Sequence, residues 1–295
     1  MQTTSLQFEA IGTHWQIDIP YDTNSQKREF LLEKVIALIE DFDKTYSRFR
    51  PDSLITKMAT KRGKYLLPKN AEKMFTIYKD LYELTNYSFT PLIGQVLVDA
   101  GYDAAYSLLP KKLYHPPKWE DVIDYSYPYL MLKKPAILDF GAAGKGYLID
   151  LVSEVLQKEG LDYFCVDAGG DMYFYNKKND KLRVGLEHPD NKSQVIGVAE
   201  IHNQAICASA GNRRRWREFH HIMDPHTLTS THKVKATWVI AETALLADAI
   251  ATCLFFVPAK KLQTYKFSYA LVDKNNRLEA SKDFPAEIFV KKESS

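Results

Sequence analysis

Apolar residues recur along this chain with two spacings, one typical of helices and one typical of strands. Helical spacing predicts helices at residues 30–42, 69–85, 147–158 and 242–256, with a short one near 119–123. Alternating or short apolar runs predict a strand or hairpin over 6–19 and strands at 129–132, 136–140, 163–167, 172–175, 182–186, 195–201 and 269–272. This mixture predicts an α+β fold, with mixed sheets and packed helices.

Composition narrows the class of protein without naming its function. The chain has 295 residues, 45% of them hydrophobic and 26% charged, which is ordinary for a soluble globular protein with an extensive core. A net charge of +2 gives no argument for nucleic acid or an acidic membrane, and we expect neither as a partner. Three scattered cysteines, no basic and apolar leader and no apolar stretch long enough to span a bilayer predict a cytoplasmic protein without a transmembrane segment.

The segment LDFGAAGKGYLIDL, residues 138–151, has the most informative local chemistry. Asp139 follows a short apolar run, and glycines surround Lys145 where an amphipathic helix begins. Glycines allow close approach to a ligand, and a helix start favours an anion, so the turn suits a phosphate. Asp139 suits a polar ligand group or a cation. The turn is not a P-loop, because Gly146 follows the lysine, and its glycines run in the reverse order of the dinucleotide fingerprint.

Two polar residues lie four positions apart on the last predicted helix. Asp248 and Thr252 therefore share one helix face, on which a carboxylate and a hydroxyl can hold a hard cation such as Mg²⁺. The alternative is local: Asp248 caps or pairs nearby, and Thr252 bonds back to its own helix.

Three further clusters have both a chemical and a structural interpretation. Of the adjacent His220 and His221, one can act as a general base, although a structural or exposed histidine is the commoner case. The basic cluster 213–217, RRRWR, suits phosphates of a nucleotide or a nucleic acid, or is a solvated loop. The turn at residues 167–171, DAGGD, suits close backbone approach or a plain hairpin.

In this order, the motifs resemble those of the FAD:protein FMN transferase family, the ApbE-type flavin transferases. LDFGAAGKGYLID is similar to that family's D-x-G-G-x-x-K-G-x-x-x-D segment, and VDAGGDM to its N-A-G-G-D turn. ASAGNRRRW is similar to the S-G-D-Y region, HHIMDPHT to H-I-x-D-P-x-T-G, and ALLADAIAT to A-D-A-x-A-T. YSRFRPDSLITKM and FTPLIGQVL resemble its two N-terminal flavin-contacting segments. The resemblance covers nearly the whole chain.

The resemblance implies a T-fold-related architecture in a single domain over residues 1–295, with two subdomains around the FAD site left open. It implies a Mg²⁺-dependent reaction that splits FAD, attaches FMN to a threonine of an acceptor protein and releases AMP. The positions that match the family's site fall into three groups. The implied metal ligands are Asp248, Thr252 and the Ala142 carbonyl; the implied FAD contacts are Asp139, Lys145, Ser88, Phe89, Thr90 and Ile222; and the implied base is His221.

The chain also departs from the family pattern. Leu228 stands where the family usually has glycine, and Asn212 replaces a usual aspartate. We expect FAD binding to survive these changes and acceptor recognition to be the more affected. Two other functions stay open at this point: an FAD pyrophosphatase that gives FMN and AMP, and a non-catalytic flavin-binding protein.

Overall fold

The computed structural model describes residues 4–178 and 180–289. Its strands, in chain order, are β1 Thr4–Ala10, β2 Thr13–Ile19, β3 Gly63–Leu66, β4 Ile123–Ser126, β5 Tyr129–Leu132, β6 Tyr163–Ala168, β7 Asp171–Asn176, β8 Leu182–His188, β9 Asn191–Ile201, β10 Gln204–Ala210, β11 Arg215–Trp216, β12 Phe219–His220, β13 Met223–Asp224, β14 Thr229–Ser230, β15 Val234–Ala241, β16 Phe267–Asp273, β17 Leu278–Ala280 and β18 Ala286–Ile288. The helices are α1 Ser25–Tyr46, α2 Leu54–Thr60, α3 Ala71–Leu84, α4 Gly94–Asp99, α5 Trp119–Val122, α6 Gly144–Lys158 and α7 Ala244–Cys253, with 3₁₀ turns at Pro91–Ile93 and Ala259–Leu262.

An antiparallel sheet of eight strands forms the centre of the molecule, in the order β1-β2-β6-β7-β10-β15-β16-β17. Side chains of successive strand residues point to opposite faces, and in β15 both faces are apolar. Val239 and Ala241 join the core on one face, whereas Trp238 and Ile240 join a second core on the other. The central strands are therefore covered on both sides.

Helices cover one face of this sheet and a small sheet covers the other. Helices α6 and α7 pack against each other and on the strands, with α1 against α6 and α3 against α7. The three-stranded sheet β18-β9-β8 supplies Val184, Leu186, Ala199 and Ile201 to the second core. The fold is thus a mixed α and β architecture with mostly antiparallel pairing, as the sequence predicts.

The strand predicted at residues 136–140 is wrong. This segment joins no sheet, because its backbone N–H groups donate to carbonyls that lie outside any strand. The Ala136 N–H donates to the Met58 carbonyl at 3.3 Å, and the Asp139 N–H donates to the Pro91 carbonyl at 2.7 Å. The segment instead joins the turn at Pro91–Ile93 to the start of α6.

Among the described residues, no helix combines the length and the apolar character that crossing a membrane requires.

Candidate active site

The loop before α6 is fixed by hydrogen bonds to the Asp139 side chain. The Gly141 N–H donates to Asp139 Oδ1 at 2.8 Å, and Arg48 Nε donates to Asp139 Oδ2 at 2.5 Å. The Arg48 side chain is only 4% exposed, so this is a buried, charge-assisted pair. The pair joins the segment after α1 to the loop that the sequence singles out for ligand binding.

Arg48 was not among the residues predicted for the site. Its Nη1 donates to the Tyr102 carbonyl at 2.8 Å, and its guanidinium lies 4.1 Å from the centre of the Phe49 ring. Its Nη2 is buried and has no partner among the described residues. The one signal in the sequence is its place in YSRFRPDS, which resembles a flavin-contacting segment of the family.

Helices α6 and α7 meet at a glycine. A Cβ at Gly146 would lie 2.1 Å from the Ala244 carbonyl oxygen and 2.7 Å from the Asp248 Cβ, so no larger residue fits. The Gly146 N–H, in the first turn of α6, donates to Asp248 Oδ2 at 2.8 Å. Asp248 is thus bound to the helix start that the sequence predicts as an anion site, rather than capping its own helix.

Two oxygen atoms from different segments lie near the Thr252 hydroxyl. Its Oγ1 lies 3.4 Å from the Ala142 carbonyl oxygen and 3.4 Å from Ser209 Oγ. Thr252 is 8% exposed and Asp248, one turn earlier on α7, is 5% exposed. The Thr252 hydroxyl therefore reaches across to the loop and to β10, and the local alternative, a bond back to its own helix, does not describe it. The structure brings the three implied metal ligands to one place and adds Ser209, whose one signal in the sequence is its place in ASAGNRRRW.

Lys145 makes an ion pair inside the protein. Its Nζ lies 2.6 Å from Asp171 Oδ2 and donates to the Ala168 carbonyl at 3.0 Å. Asp171 ends the Gly169-Gly170 turn between β6 and β7 and is 1% exposed, and its Oδ1 accepts the Ala208 N–H at 2.8 Å. Burial alone would lower the pKa of Lys145, because it disfavours the charged form. The carboxylates of Asp171 and Asp248 outweigh this effect, and the pKa is raised overall. The DAGGD turn therefore supplies a counter-ion to the loop lysine.

The buried charges at this point leave an excess of negative charge. Burial, and secondarily the charge of Asp171, raise the pKa of Asp248 to about 8, so its carboxylate lacks sufficient cationic partners. A cation bound here would stabilise that carboxylate. Asp248, Thr252 and the Ala142 carbonyl offer the oxygen ligands that Mg²⁺ prefers, so the residues present fit this ion. Within residues 4–178 and 180–289 no three His, Cys, Asp or Glu side chains converge on a metal position, and a cation here would depend on hydroxyl and carbonyl oxygens as well.

The two adjacent histidines differ in their partners. The His220 ring is engaged through Nε2 with the Thr231 carbonyl at 2.7 Å, which marks it as structural. His221 is half-buried, and its Nδ1 has no partner among the described residues. Burial, helped by the nearby charge of Arg214, lowers the pKa of His221 to about 3. Its imidazole is therefore neutral near pH 7, the form in which it accepts a proton.

The remaining four implied FAD contacts are buried or half-buried residues. Phe89 is a core residue whose ring lies 4.7 Å from that of Tyr78, and Thr90 Oγ1 accepts the Leu92 N–H at 3.2 Å. Ser88 is half-buried and Ile222 is buried. The side chains of Phe89 and Thr90 thus serve the core and a turn cap, and contacts with FAD at these four positions stay predictions.

The two departures from the family pattern have structural consequences. Leu228 has a φ of 58°, the left-handed region in which glycine is least strained, so this leucine keeps the turn that a glycine would form. The Asn212 amide donates to the Pro189 carbonyl, a bond that an aspartate could not make.

A cavity of about 640 Å³ lies elsewhere, between α3, α6 and the start of α7. Its lining includes Tyr147, Asp150 and Leu245 but none of the predicted site residues. The candidate site instead lies where the loop before α6 meets α7 and β10.

Comparison with known proteins gives a consistent answer. The sequence model of the ApbE family matches residues 11–272. The chain is 25% identical over 288 residues to the FAD:protein FMN transferase of Buchnera aphidicola subsp. Schizaphis graminum, covering 88% of this chain and 82% of that protein. It is 23% identical over 287 residues to the protein of the same name from Escherichia coli K12, covering 88% and 80%.

Solved structures show the same fold. The ApbE protein of Thermotoga maritima superposes with a TM-score of 0.84 at 20% identity, covering 97% of this chain and 100% of that one. The flavin transferase ApbE of Vibrio cholerae superposes with a TM-score of 0.78 at 18% identity, covering 96% and 98%. With a family match that spans most of its length, this chain belongs to the ApbE family.

Proposed function

We propose that this chain is an FAD:protein FMN transferase, the activity for which its curated relatives are named. We further propose that the reaction depends on Mg²⁺ and that the acceptor is a threonine hydroxyl. The observation that carries this proposal is the convergence of Ala142, Thr252 and Asp248 beside the Lys145–Asp171 pair.

The proposed reaction exchanges the phosphoanhydride linkage of FAD for a phosphoester linkage to the acceptor. A bond forms between the threonine oxygen and the FMN phosphorus, and the bond from that phosphorus to the bridging oxygen breaks. AMP leaves with the bridging oxygen, and the hydroxyl proton passes to a base. Phosphoryl transfer of this kind depends mainly on positioning and on compensation of the phosphate charge.

The residues of the site would divide this work. Asp248, Thr252 and the Ala142 carbonyl would hold Mg²⁺, which, when bound, would neutralise charge on the diphosphate oxygens. The positive dipole end of α6 would favour the negative charge of the same phosphates. Asp139, held by Arg48, would bind a polar group of FAD.

His221 would take the proton from the acceptor. With its pKa lowered to about 3 it is neutral but only weakly basic in the ligand-free protein. The negative charge of a bound diphosphate favours the imidazolium form and would raise this pKa, so FAD itself would activate the base.

The test is a reaction with FAD, Mg²⁺ and acceptor proteins or peptides that contain threonine. The proposal predicts covalent flavin fluorescence on the acceptor and one AMP per label, with no product after Mg²⁺ is removed by EDTA. FMN and AMP formed at the same rate without an acceptor would identify a pyrophosphatase instead. Intact FAD with every acceptor would contradict both activities.

A further inference from the structure

Two adjoining surface segments carry positive charge that the proposed chemistry does not use. They are the segment 101–118 and the residues around β11. Lys111, Lys112, Arg215 and Arg217 are exposed, and within the described chain none of them lies within 4.0 Å of a carboxylate. Arg213 differs, because it pairs with Glu187 at 3.0 Å. We call Lys111, Lys112, Arg215 and Arg217 the basic rim.

The two segments are joined by a buried aromatic contact. The Trp216 ring stacks on Tyr102 with 5.4 Å between centroids, and Trp216 Nε1 donates to the Ala100 carbonyl at 2.7 Å. Trp216 is buried, whereas Arg215 before it on β11 and Arg217 in the turn after it are both exposed. Trp216 therefore fixes the direction in which the basic cluster faces solvent.

The same surface carries exposed apolar side chains. Tyr106 is 54%, Leu109 59% and Tyr114 62% exposed, all within segment 101–118. Groups of exposed large apolar residues mark interaction sites more often than isolated ones do. Backbone bonds hold the segment in place, since the Leu108 N–H donates to the Gly101 carbonyl at 2.9 Å. The surface is therefore preformed, apolar and basic.

This surface borders the candidate site on two sides. On one side Tyr106 stacks on Phe49 at 5.5 Å, and Phe49 is the neighbour of Arg48, which holds Asp139. On the other side the His221 N–H donates to the Arg214 carbonyl at 3.2 Å. A polypeptide bound across the basic rim would therefore lie next to His221.

We propose that the basic rim, with Tyr106, Leu109 and Tyr114, docks an acidic and partly apolar segment of the acceptor protein. This inference rests on the proposed function, because it identifies the chemistry of that function's second substrate. Two carboxylates, Asp103 and Glu218, lie on the same segments as the four cations of the basic rim, so positive charge remains in excess there.

Peptide binding tests the docking surface without requiring turnover. Two dye-labelled peptides of equal length and leucine content, each with one threonine, would differ only in flanking aspartates or lysines. Fluorescence anisotropy in the presence of FAD should show the wild-type chain binding the acidic peptide roughly tenfold more tightly. The double variant Lys112→Glu/Arg215→Glu should lose this preference, and added salt should weaken binding to the wild type. FAD affinity should stay unchanged, because neither residue is among the proposed FAD contacts.

The matched control is Lys260→Glu/Lys261→Glu, which reverses two exposed charges on the 3₁₀ turn Ala259–Leu262 and should keep the preference. Equal binding of both peptides by the wild type, or an unchanged preference in the rim variant, would overturn the inference. Tighter binding of a single-stranded polynucleotide of equal charge would overturn it in favour of nucleic acid. If the acidic peptide binds as expected but no acceptor is ever labelled, the proposed function fails while the docking surface stands.

Discussion

Lys145 shows how a residue can look like a free phosphate contact in sequence and have a protein partner in the structure. Asp171, 26 positions later in the chain, forms an ion pair with its ammonium group. With Asp248 nearby, one buried cation faces two carboxylates, and this imbalance is what makes a bound cation favourable. The local glycines and helix start are visible in sequence, whereas a counter-ion from a distant turn is not.

Ser209 is the residue whose role is least visible from sequence and simplest to test. Its Oγ lies 3.4 Å from Thr252 Oγ1, so we expect it to orient the threonine hydroxyl toward a bound metal. Ser209→Ala should weaken Mg²⁺ binding roughly tenfold, as measured by Mg²⁺-dependent thermal stabilisation, and leave the metal-free unfolding temperature nearly unchanged. Equal Mg²⁺ affinity in variant and wild type would remove Ser209 from the site.

His221 predicts a particular dependence of stability on pH. The unfolded chain binds a proton at this residue below about pH 6.5, whereas the folded protein keeps it neutral down to about 3. The unfolded state therefore binds more protons in this window, and stability falls as the pH decreases through it. Between about pH 7.5 and about pH 5, urea unfolding should show His221→Asn losing roughly 2 kcal/mol less than the wild type. Identical losses in His221→Asn and the wild type would show that the folded protein does not keep His221 neutral in this window.

At the scale of elements, one carboxyl group holds α6 and α7 together. Asp150, on α6, accepts the Ala244 and Leu245 N–H groups at 2.7 and 2.8 Å, and so caps the start of α7 from another helix. Burial raises the pKa of Asp150 to about 7, although its two N–H donors favour the carboxylate form. The acid and the carboxylate are therefore both present near neutral pH, and either form has an oxygen that accepts hydrogen bonds. This cap positions the helix that carries Asp248 and Thr252.

Removal of that cap should lower stability and loosen the site together. Asp150→Ala leaves two helix N–H groups without an acceptor and should reduce the free energy of unfolding by about 2 kcal/mol, as measured by urea denaturation. Glu154→Gln, one turn later on the same helix, should change it by less than about 0.5 kcal/mol. Equal stability of the two variants would show that Asp150 does not hold the helices.

The elements that sequence predicted well are those with clear local patterns. Helices α1, α3, α6 and α7 show helical spacing of apolar residues, and their predicted ranges overlap the observed ones. The central strands β10 and β15 were missed. The first is rich in alanine, and the second is an apolar run buried on both faces, which lacks the alternation of a half-exposed strand. Its length and β-branched residues were the available signal.

At the scale of the whole molecule, the order of short motifs was more informative than any one of them. The predicted family and the α+β class are confirmed, although the relatives share only about a quarter of their residues with this chain. The structure shows why the motifs lie far apart in the sequence. Each lies on a different element, and the fold of the central sheet and helices brings Ala142, Ser209, Asp248 and Thr252 together. The predicted subdomain division, the cytoplasmic location and the roles of single site residues stay predictions.

The central claim is that the oxygen cluster on α7 supports flavin transfer, and Asp248→Asn tests it most directly. The amide retains an acceptor for the Gly146 N–H but removes the negative charge that a cation requires. With FAD, Mg²⁺ and a labelled acceptor, this account predicts that AMP release and acceptor labelling both fall by about a hundredfold or more. FAD affinity measured in EDTA should stay within about twofold of the wild type. Transfer at the wild-type rate by Asp248→Asn would contradict the account.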